Sequence, residues 1–400
     1  MFHFIYQLFN TYNTGDIYLF ELFIIYAWLI FLPRIFFASK YKHINSDKKF
    51  SVSVIIPTFK ESKKNFKKCL SSLKSSLNYS KYKYELIISI DGLKENEKNE
   101  ETLLAEKYTD KIITHNSKNK RIGIIKAIKQ AKYDIVITSD SDTFYEKETI
   151  KELLKPFKDK NVGGVTTHQR IYNPKKLIQK YADWFENARI KSSLPAMSYF
   201  NSVGCLPGRC IAYRKQILLK HEKEFINERF LGILCITGDD RALTNFIIKD
   251  GYKSIYQSTA RVKTIAPDNL LDWSKQQLRW GRSSQRYTLT SIGWLWKFPM
   301  IFFIYITDFL LTLFLIAILI QWVFNILFMN NNLHIPLLLA IILAFFGCCT
   351  TVILKQFLHL KENKKDILLV PGFALLMTYM QIIRFYGFLT LKKVDKWMTR

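Results

Sequence analysis

The sequence predicts an α/β domain inserted between membrane segments. Three observations predict it. Long apolar runs gather at the two ends of the 400-residue chain, while lysines crowd its middle. In that middle, short apolar strands alternate with lysine-rich helical stretches, the pattern of a parallel sheet covered by helices. Each of these strands ends in acidic or small polar residues, and such sheets bind ligands at their carboxyl ends.

The first element is the apolar run 17–37, long enough to cross the ~30 Å hydrocarbon core. Lys40, Lys42, Lys48 and Lys49 follow it, so the positive-inside rule puts the middle of the chain in the cytoplasm. No basic segment precedes the run and no small-residue cleavage site follows it, which argues against a cleaved signal peptide. Residues 2–9 are too short to span and are expected at the interface.

Strands are expected at 52–56, ended by Pro57, at 85–90, ended by Asp91 and Gly92, and at 135–138, ended by 139–143. Helices are expected at 65–77 and 122–131. Three further apolar runs follow, at 299–328, 335–354 and 367–386, with a basic loop at 355–366. Three crossings would leave the C-terminus outside, yet Lys392, Lys393, Lys396 and Arg400 argue for inside. One run, either that with Asp308 or that with Arg384, is then partly interfacial or re-entrant. The expected organisation is a membrane segment (1–40), an α/β domain (50–260), interfacial helices (261–297), a C-terminal membrane region (298–391) and a basic tail (392–400).

The net charge is +26. Nucleic acid, anionic lipid and nucleotide diphosphates would all accept such a surface, and a solvated lysine-rich face explains it equally. The apolar runs make lipid a better partner than nucleic acid. The six cysteines include no CxxC pair and no zinc spacing; all six are expected to be reduced.

Three clusters carry chemistry. Asp140-Ser141-Asp142 follows a strand, where two carboxylates can face a divalent cation, Mg²⁺ or Mn²⁺, that shares its oxygen ligands with phosphates; a solvated turn looks the same. Gly238-Asp239-Asp240-Arg241 can supply a carboxylate to an attacking hydroxyl, or simply open a helix. In Gln276-Gln277-Leu278-Arg279-Trp280, Gln276, Arg279 and Trp280 share a helix face. Arg279 can clamp a diphosphate and Trp280 can stack on a sugar, or both can sit at a lipid surface.

The order Pro57-Thr58, Asp91-Gly92, Asp140-Ser141-Asp142, Gly238-Asp239-Asp240, Gln276-x-x-Arg279-Trp280 resembles the processive family 2 glycosyltransferases: hyaluronan, chitin-oligosaccharide, cellulose and type 3 capsular polysaccharide synthases. The resemblance covers nearly the whole chain. Segments 163–167 (GGVTT) and 204–209 (GCLPGR) look closest to the capsular enzymes, and Trp397-Met398-Thr399-Arg400 is similar to their W-x-T-R tail. Lys60-Glu61 departs from the usual acidic pair after the first strand, which puts a nucleobase role for Glu61 in doubt.

The resemblance implies a GT-A (nucleotide-diphospho-sugar transferase) domain flanked by transmembrane and interfacial helices, in the cell membrane with its catalytic domain cytoplasmic. It implies UDP-sugar donors, a growing polysaccharide made processively and exported (a glucose/glucuronic acid or hyaluronan-like product), a lipid bilayer and no nucleic acid as partners. It carries Pro57, Thr58 and Asp91 to the nucleoside, Lys120, Arg121, Asp140, Gln276 and Arg279 to the donor, and Asp142 to the metal. It carries Asp240 to the general base, and Trp280, Cys205 and Asp239 to the acceptor side. A single base opposite the leaving group implies inversion and β-linkages. A transferase making short products, and a basic scaffold with a decayed transferase fold, are the alternatives.

Overall fold

The computed structural model describes residues 15–94, 97–109, 111–328 and 334–393. Residues 2–9 and the tail from Trp397 to Arg400 lie outside the described residues. Helix α1 (Gly15–Lys40) leads into a sheet of β1 (Ser51–Thr58), β2 (Lys83–Asp91), β3 (Lys111–His115), β4 (Ile135–Ser139), β5 (Phe144–Tyr145), β6 (Val162–Ile171), β7 (Cys210–Arg214) and β10 (Lys253–Thr264). A separate hairpin joins β8 (Arg229–Phe230) to β9 (Ile233–Leu234). The principal helices of the α/β domain are α2 (Lys63–Ser80), α3 (Lys120–Gln130), α4 (Leu177–Ala188) and α5 (Asp239–Lys249). They are followed by α6 (Leu270–Leu295), α7 (Pro299–Phe328), α8 (His334–Glu362) and α9 (Val370–Leu389).

The sheet order is β3-β2-β1-β4-β7-β6-β10-β5. It is mixed, not parallel as the sequence predicts: β7 runs antiparallel to both β4 and β6. Strand β6 (VGGVTTHQRI) escapes sequence reading because glycines and threonines replace the apolar run. β1 continues through Pro57, which lies beyond the last residue paired to β4, so the missing N–H interrupts no ladder there. β10 crosses the expected boundary at 260, and one 26-residue helix stands where several interfacial helices are expected.

Alternation along the strands builds two cores. Val52, Val54 and Ile56 pack in one layer with Phe66, Leu70, Leu73 and Leu77 of α2. Those α2 positions recur at helical spacing, and Ser62 caps the helix by accepting from Asn65 N. Ile55 and Ile87 face the other layer, with Ile124 and Ile128 of α3 and Leu243 and Ile247 of α5. Each such buried side chain contributes roughly 1.5–3 kcal/mol. The second layer continues through Tyr287, Leu295, Met300, Ile301 and Ile304, so α6 and the start of α7 share the domain's core.

Among the described residues, Pro299–Ile320, Ile341–Glu362 and Lys364–Leu389 are long and apolar enough to cross a membrane. α8 extends through Glu362, so Lys355 sits in a helix rather than in the expected loop. The end of α8 returns to the α/β domain: Asn187 Nδ2 donates to Gln356 Oε1 at 2.9 Å, and Gln356 Nε2 to the Trp184 carbonyl at 2.8 Å. Both ends of α9 also touch that domain or its α6 extension. Tyr181 donates to the Leu369 carbonyl at 3.3 Å. At the other end Arg282 Nε donates to Thr390 Oγ1 at 3.0 Å and Arg286 Nε to the Leu391 carbonyl at 2.9 Å. Between these points α9 lies along α6, with Ser274 Oγ 3.2 Å from the Tyr379 hydroxyl.

Candidate active site

The carboxyl ends of β1 and β4 and the first turns of α3 and α5 open on one cavity of about 1230 Å³, larger than the ~300–1,000 Å³ of ordinary ligand pockets. Pro57, Lys120, Asp140, Asp142, Cys205, Asp239, Asp240, Gln276, Arg279 and Trp280 all line it.

Lys120 ties the site together. It opens α3, whose N-cap Asn119 accepts from Arg121 N. Its Nζ lies 2.8 Å from Asp140 Oδ1 and 3.0 Å from Asp239 Oδ2. Burial pushes this ammonium toward neutrality, but the two carboxylates outweigh it and hold Lys120 charged.

Asp239 and Asp240 begin α5 behind Gly238, which has φ of 78°. A Cβ there would lie 2.0 Å from Ser283 Oγ, so both the left-handed backbone and the close approach of α6 demand glycine. Asp240 Oδ2 accepts from Gly208 N at 3.1 Å and Oδ1 from Arg241 N at 2.8 Å. The two neighbours are driven apart. Burial, then the negative charge of Asp239, pushes the Asp240 carboxyl up. Burial also acts on Asp239, but Lys120 prevails and holds it below the usual carboxylate range. Such splitting marks one carboxylate as a proton acceptor and its partner as a fixed charge.

Asp142 is buried and accepts from Thr264 Oγ1, at the end of β10, at 3.1 Å. Ser141 Oγ donates to Glu61 Oε2 at 3.2 Å. No group of three His, Cys, Asp or Glu side chains that could hold a metal occurs among the described residues. Gln276, Arg279 and Trp280 share α6, and the Arg209 guanidinium lies 5.8 Å from the Trp280 ring. Cys205 Sγ is 3.8 Å from Asp240 Oδ2, and burial keeps its thiol protonated.

Three residues expected at the donor do not line the cavity. Arg121 is fully buried and turned away. Its Nη1 donates to the Phe225 carbonyl and Glu228 Oε2, both at 2.8 Å, and its Nη2 to the Thr237 carbonyl at 3.0 Å and the Tyr287 hydroxyl at 2.7 Å. It therefore anchors the segment leading to Asp239. Asp91 is buried and accepts from Gly92 N, Lys118 N and Asn119 N at 2.7, 3.1 and 3.0 Å, fixing the turn that precedes Lys120. Thr58 Oγ1 donates to Glu101 Oε1 at 3.2 Å inside the core.

Sequence reading misses a second polar group in the same cavity. Arg209 Nη1 lies 2.6 Å from Glu186 Oε1 and 3.1 Å from Gln169 Oε1, and Arg189 also pairs with Glu186. Arg189–Ser193 forms a π-helical turn after α4, a feature frequent at functional sites. The spacing of Glu186 and Arg189 is its one sequence signal; Gln169 and Arg209 join only through the antiparallel pairing of β6 and β7.

A carboxylate-lined cleft at the end of such a sheet, closed by a helix bearing arginine and tryptophan, defines a GT-A glycosyltransferase. Comparison with known proteins agrees. Residues 53–221 match the model of glycosyl transferase family 2. The chain is 28% identical over 364 residues to the hyaluronan synthase of Streptococcus pyogenes, covering 88% of this chain and 83% of that protein. It is 28% identical over 252 residues to an N-acetylglucosaminyltransferase of Azorhizobium caulinodans, covering 60% and 61%. The fold is similar to the mannosyltransferase PcManGT of Pyrobaculum calidifontis, solved in complex with GDP-Man and Mn²⁺, with TM-score 0.67, 14% identity and coverage of 94% and 99%. Residues 53–221 thus carry a glycosyl transferase family 2 domain, in a chain that also has apolar helices long enough to cross a membrane.

Proposed function

We propose that the protein is a membrane glycan synthase that transfers sugars from UDP-sugars, with inversion, to the growing end of a β-linked chain. The observation that carries this reading is the split carboxylate pair Asp239–Asp240, joined through Lys120 to Asp140 in a cavity that also holds Trp280. Asp240 accepts the proton of the acceptor hydroxyl. The hydroxyl oxygen forms its bond to the sugar C1 as the C1–oxygen bond to UDP breaks, and the diphosphate leaves with the electron pair. Arg279, Gln276 and Lys120 offer it hydrogen bonds and positive charge. Trp280 and Cys205 border the acceptor. Thr58, Asp91 and Arg121 act at one remove, by fixing the segments that carry Pro57, Lys120 and Asp239.

Two carboxylates at one strand end, Asp140 and Asp142, with no cluster of three such ligands among the described residues, suit a Mg²⁺ or Mn²⁺ ion that completes its shell with phosphate oxygens and water. Such an ion would neutralise charge growing on the diphosphate. The Mn²⁺ in the structurally similar mannosyltransferase supports this assignment.

The same cavity reaches Thr312 of α7, Thr351 of α8 and Gln381 of α9, which supports processive synthesis with the product leaving between the apolar helices. The contacts of α9 along α6 support an interfacial α9. Crossings by α1, α7 and α8 alone then leave the α/β domain and the basic C-terminus on the cytoplasmic side, in accord with Lys40, Lys42, Lys392 and Lys393.

The test is UDP release and product sizing from the full-length protein in lipid nanodiscs, with UDP-sugars offered singly and in pairs with Mg²⁺ or Mn²⁺. Long polymer supports the reading. Short product alone moves it to an oligosaccharide-forming transferase, and absence of transfer with every donor refutes it.

A further inference from the structure

Arg241 is a buried cation to which the transfer reaction gives no task. It follows Asp240 in the first turn of α5, is 5% exposed and lines the cavity. Among the described residues its guanidinium has no carboxylate within salt-bridge distance. It makes one hydrogen bond there, from Nη2 to Thr288 Oγ1 of α6 at 3.4 Å, and its Nε has no partner. Thr288 Oγ1 gives its own proton to the Ser284 carbonyl at 2.9 Å. The group is held instead by the face of Tyr305 on α7, with 3.9 Å from the guanidinium carbon to the ring centroid, a cation–π contact. The Tyr305 hydroxyl is also buried and has no partner among the described residues.

Tyr305 reaches the site because residue 204 is glycine: a Cβ there would lie 2.3 Å from the Tyr305 hydroxyl. The next residue, Cys205, has its Sγ 3.8 Å from Asp240 Oδ2. The guanidinium and the phenol therefore stand beside the base. Asp308 and Thr312, which line the same cavity, follow about one and two turns along α7. On α6, Thr288 lies two turns beyond Trp280, about 12 Å at 1.5 Å per residue, which is more than one sugar ring covers. A buried guanidinium this poorly satisfied costs free energy. A ligand that brings hydrogen-bond acceptors into the cavity would recover it. An anionic group would meet the carboxylates of Asp239 and Asp240, the two preceding residues. Uncharged hydroxyl oxygens would not, and the Tyr305 hydroxyl can both donate to them and accept from them.

We infer that Arg241 and Tyr305 form a subsite for the hydroxyl groups of an uncharged sugar ring, the second ring of the acceptor, while Trp280 holds the first. The inference rests on the glycan-synthase reading and names an acceptor class within it: a chain of at least two sugars, which this subsite distinguishes from a single sugar.

The experiment uses the full-length protein in nanodiscs, with mono-, di- and tetrasaccharides prepared from the wild-type product as acceptors. It compares wild type with Arg241→Met, Arg241→Lys and Tyr305→Phe. In wild type the acceptor kcat/KM should rise roughly tenfold from monosaccharide to disaccharide, the worth of one charge-assisted hydrogen bond, and little from there to the tetrasaccharide. Arg241→Met should remove most of that rise, through the acceptor KM. Arg241→Lys, which keeps the charge and a donor, should recover part of it. Tyr305→Phe keeps the ring against the guanidinium, so it tests the subsite even where Arg241→Met does not fold; it should lower the disaccharide preference about threefold. Equal use of mono- and disaccharide by wild type, or an unchanged preference in both Arg241→Met and Tyr305→Phe, would overturn the inference and leave the transferase reading intact. So would a fall in kcat of equal size for every acceptor, which would make Arg241 a support for Asp240, or a defect confined to the donor KM. Absence of UDP release by wild type with every donor refutes the synthase reading itself.

Discussion

Asp91, buried, and Asp240, half-buried in the cleft, both accept backbone N–H bonds, and they end in opposite states. Asp91 is surrounded by donors. Burial opposes its charge, but His115 and the N–H groups of Lys118 and Gly92 hold it below the ordinary range. Asp240 accepts from Gly208 and Arg241 as well, yet burial and the adjacent Asp239 push it up. A fully satisfied carboxylate is a staple; one crowded by a like charge in a cleft has an affinity for a proton that chemistry can use.

The comparison can be broken at several points. The largest effect is expected for Asp240→Asn. Removing a general base costs about 10²–10⁴ in rate, so transfer should collapse while UDP binding, followed by calorimetry, persists. Full activity would remove Asp240 from the role. The pH profile sharpens the same point. Because the Asp240 carboxyl is raised, transfer should rise with pH through a value above the ordinary carboxylate range. Lys120→Met, which withdraws the cation that lowers both aspartates, should move that limb to higher pH; an unmoved limb would detach Lys120 from the pair.

Arg121→Met tests the buried anchor. Removing one partner of a buried ion pair costs about 3–5 kcal/mol, here because Glu228 and Tyr287 lose their shared guanidinium. The expected outcome is a lowered melting temperature, with the donor KM of the surviving fold little changed; a pure donor KM defect would return Arg121 to the donor site. Asp91→Asn should cost about 1–3 kcal/mol through weakened hydrogen bonds. The sign of its pH dependence is fixed: a depressed pKa contributes stability above the unfolded value and loses it as pH falls through the folded one. The variant should therefore flatten the acid side of the stability curve. The smallest effect is expected for Trp280→Ala, roughly tenfold in acceptor use, with donor binding retained; a donor defect alone would make α6 a lipid-facing helix.

Much of the domain is legible in the sequence because its signals are local. β1, β2 and β4 are short apolar runs closed by polar residues, and α2 shows its stripe at Phe66, Leu70, Leu73 and Leu77. The motifs around Asp140, Asp239 and Trp280 can be read in order, and all three line one cavity. β6 is not legible, because Gly163, Gly164 and the threonines that follow them carry no apolar period. Nor is the fate of Arg121: next to Lys120 it reads as half of a basic pair, but successive helical residues point about 100° apart, so one faces the cleft and the other the core.

By itself the sequence determines three strands (β1, β2 and β4), the helices α2 and α3, the apolar runs and the acidic clusters, since each depends on residues close in the chain. Tertiary structure alone decides which carboxylate is a staple and which is raised, because a pKa depends on charges brought from distant segments. It also decides that α9 lies along α6 rather than apart from it. Hydropathy measures how apolar a run is; only packing shows what that run lies against.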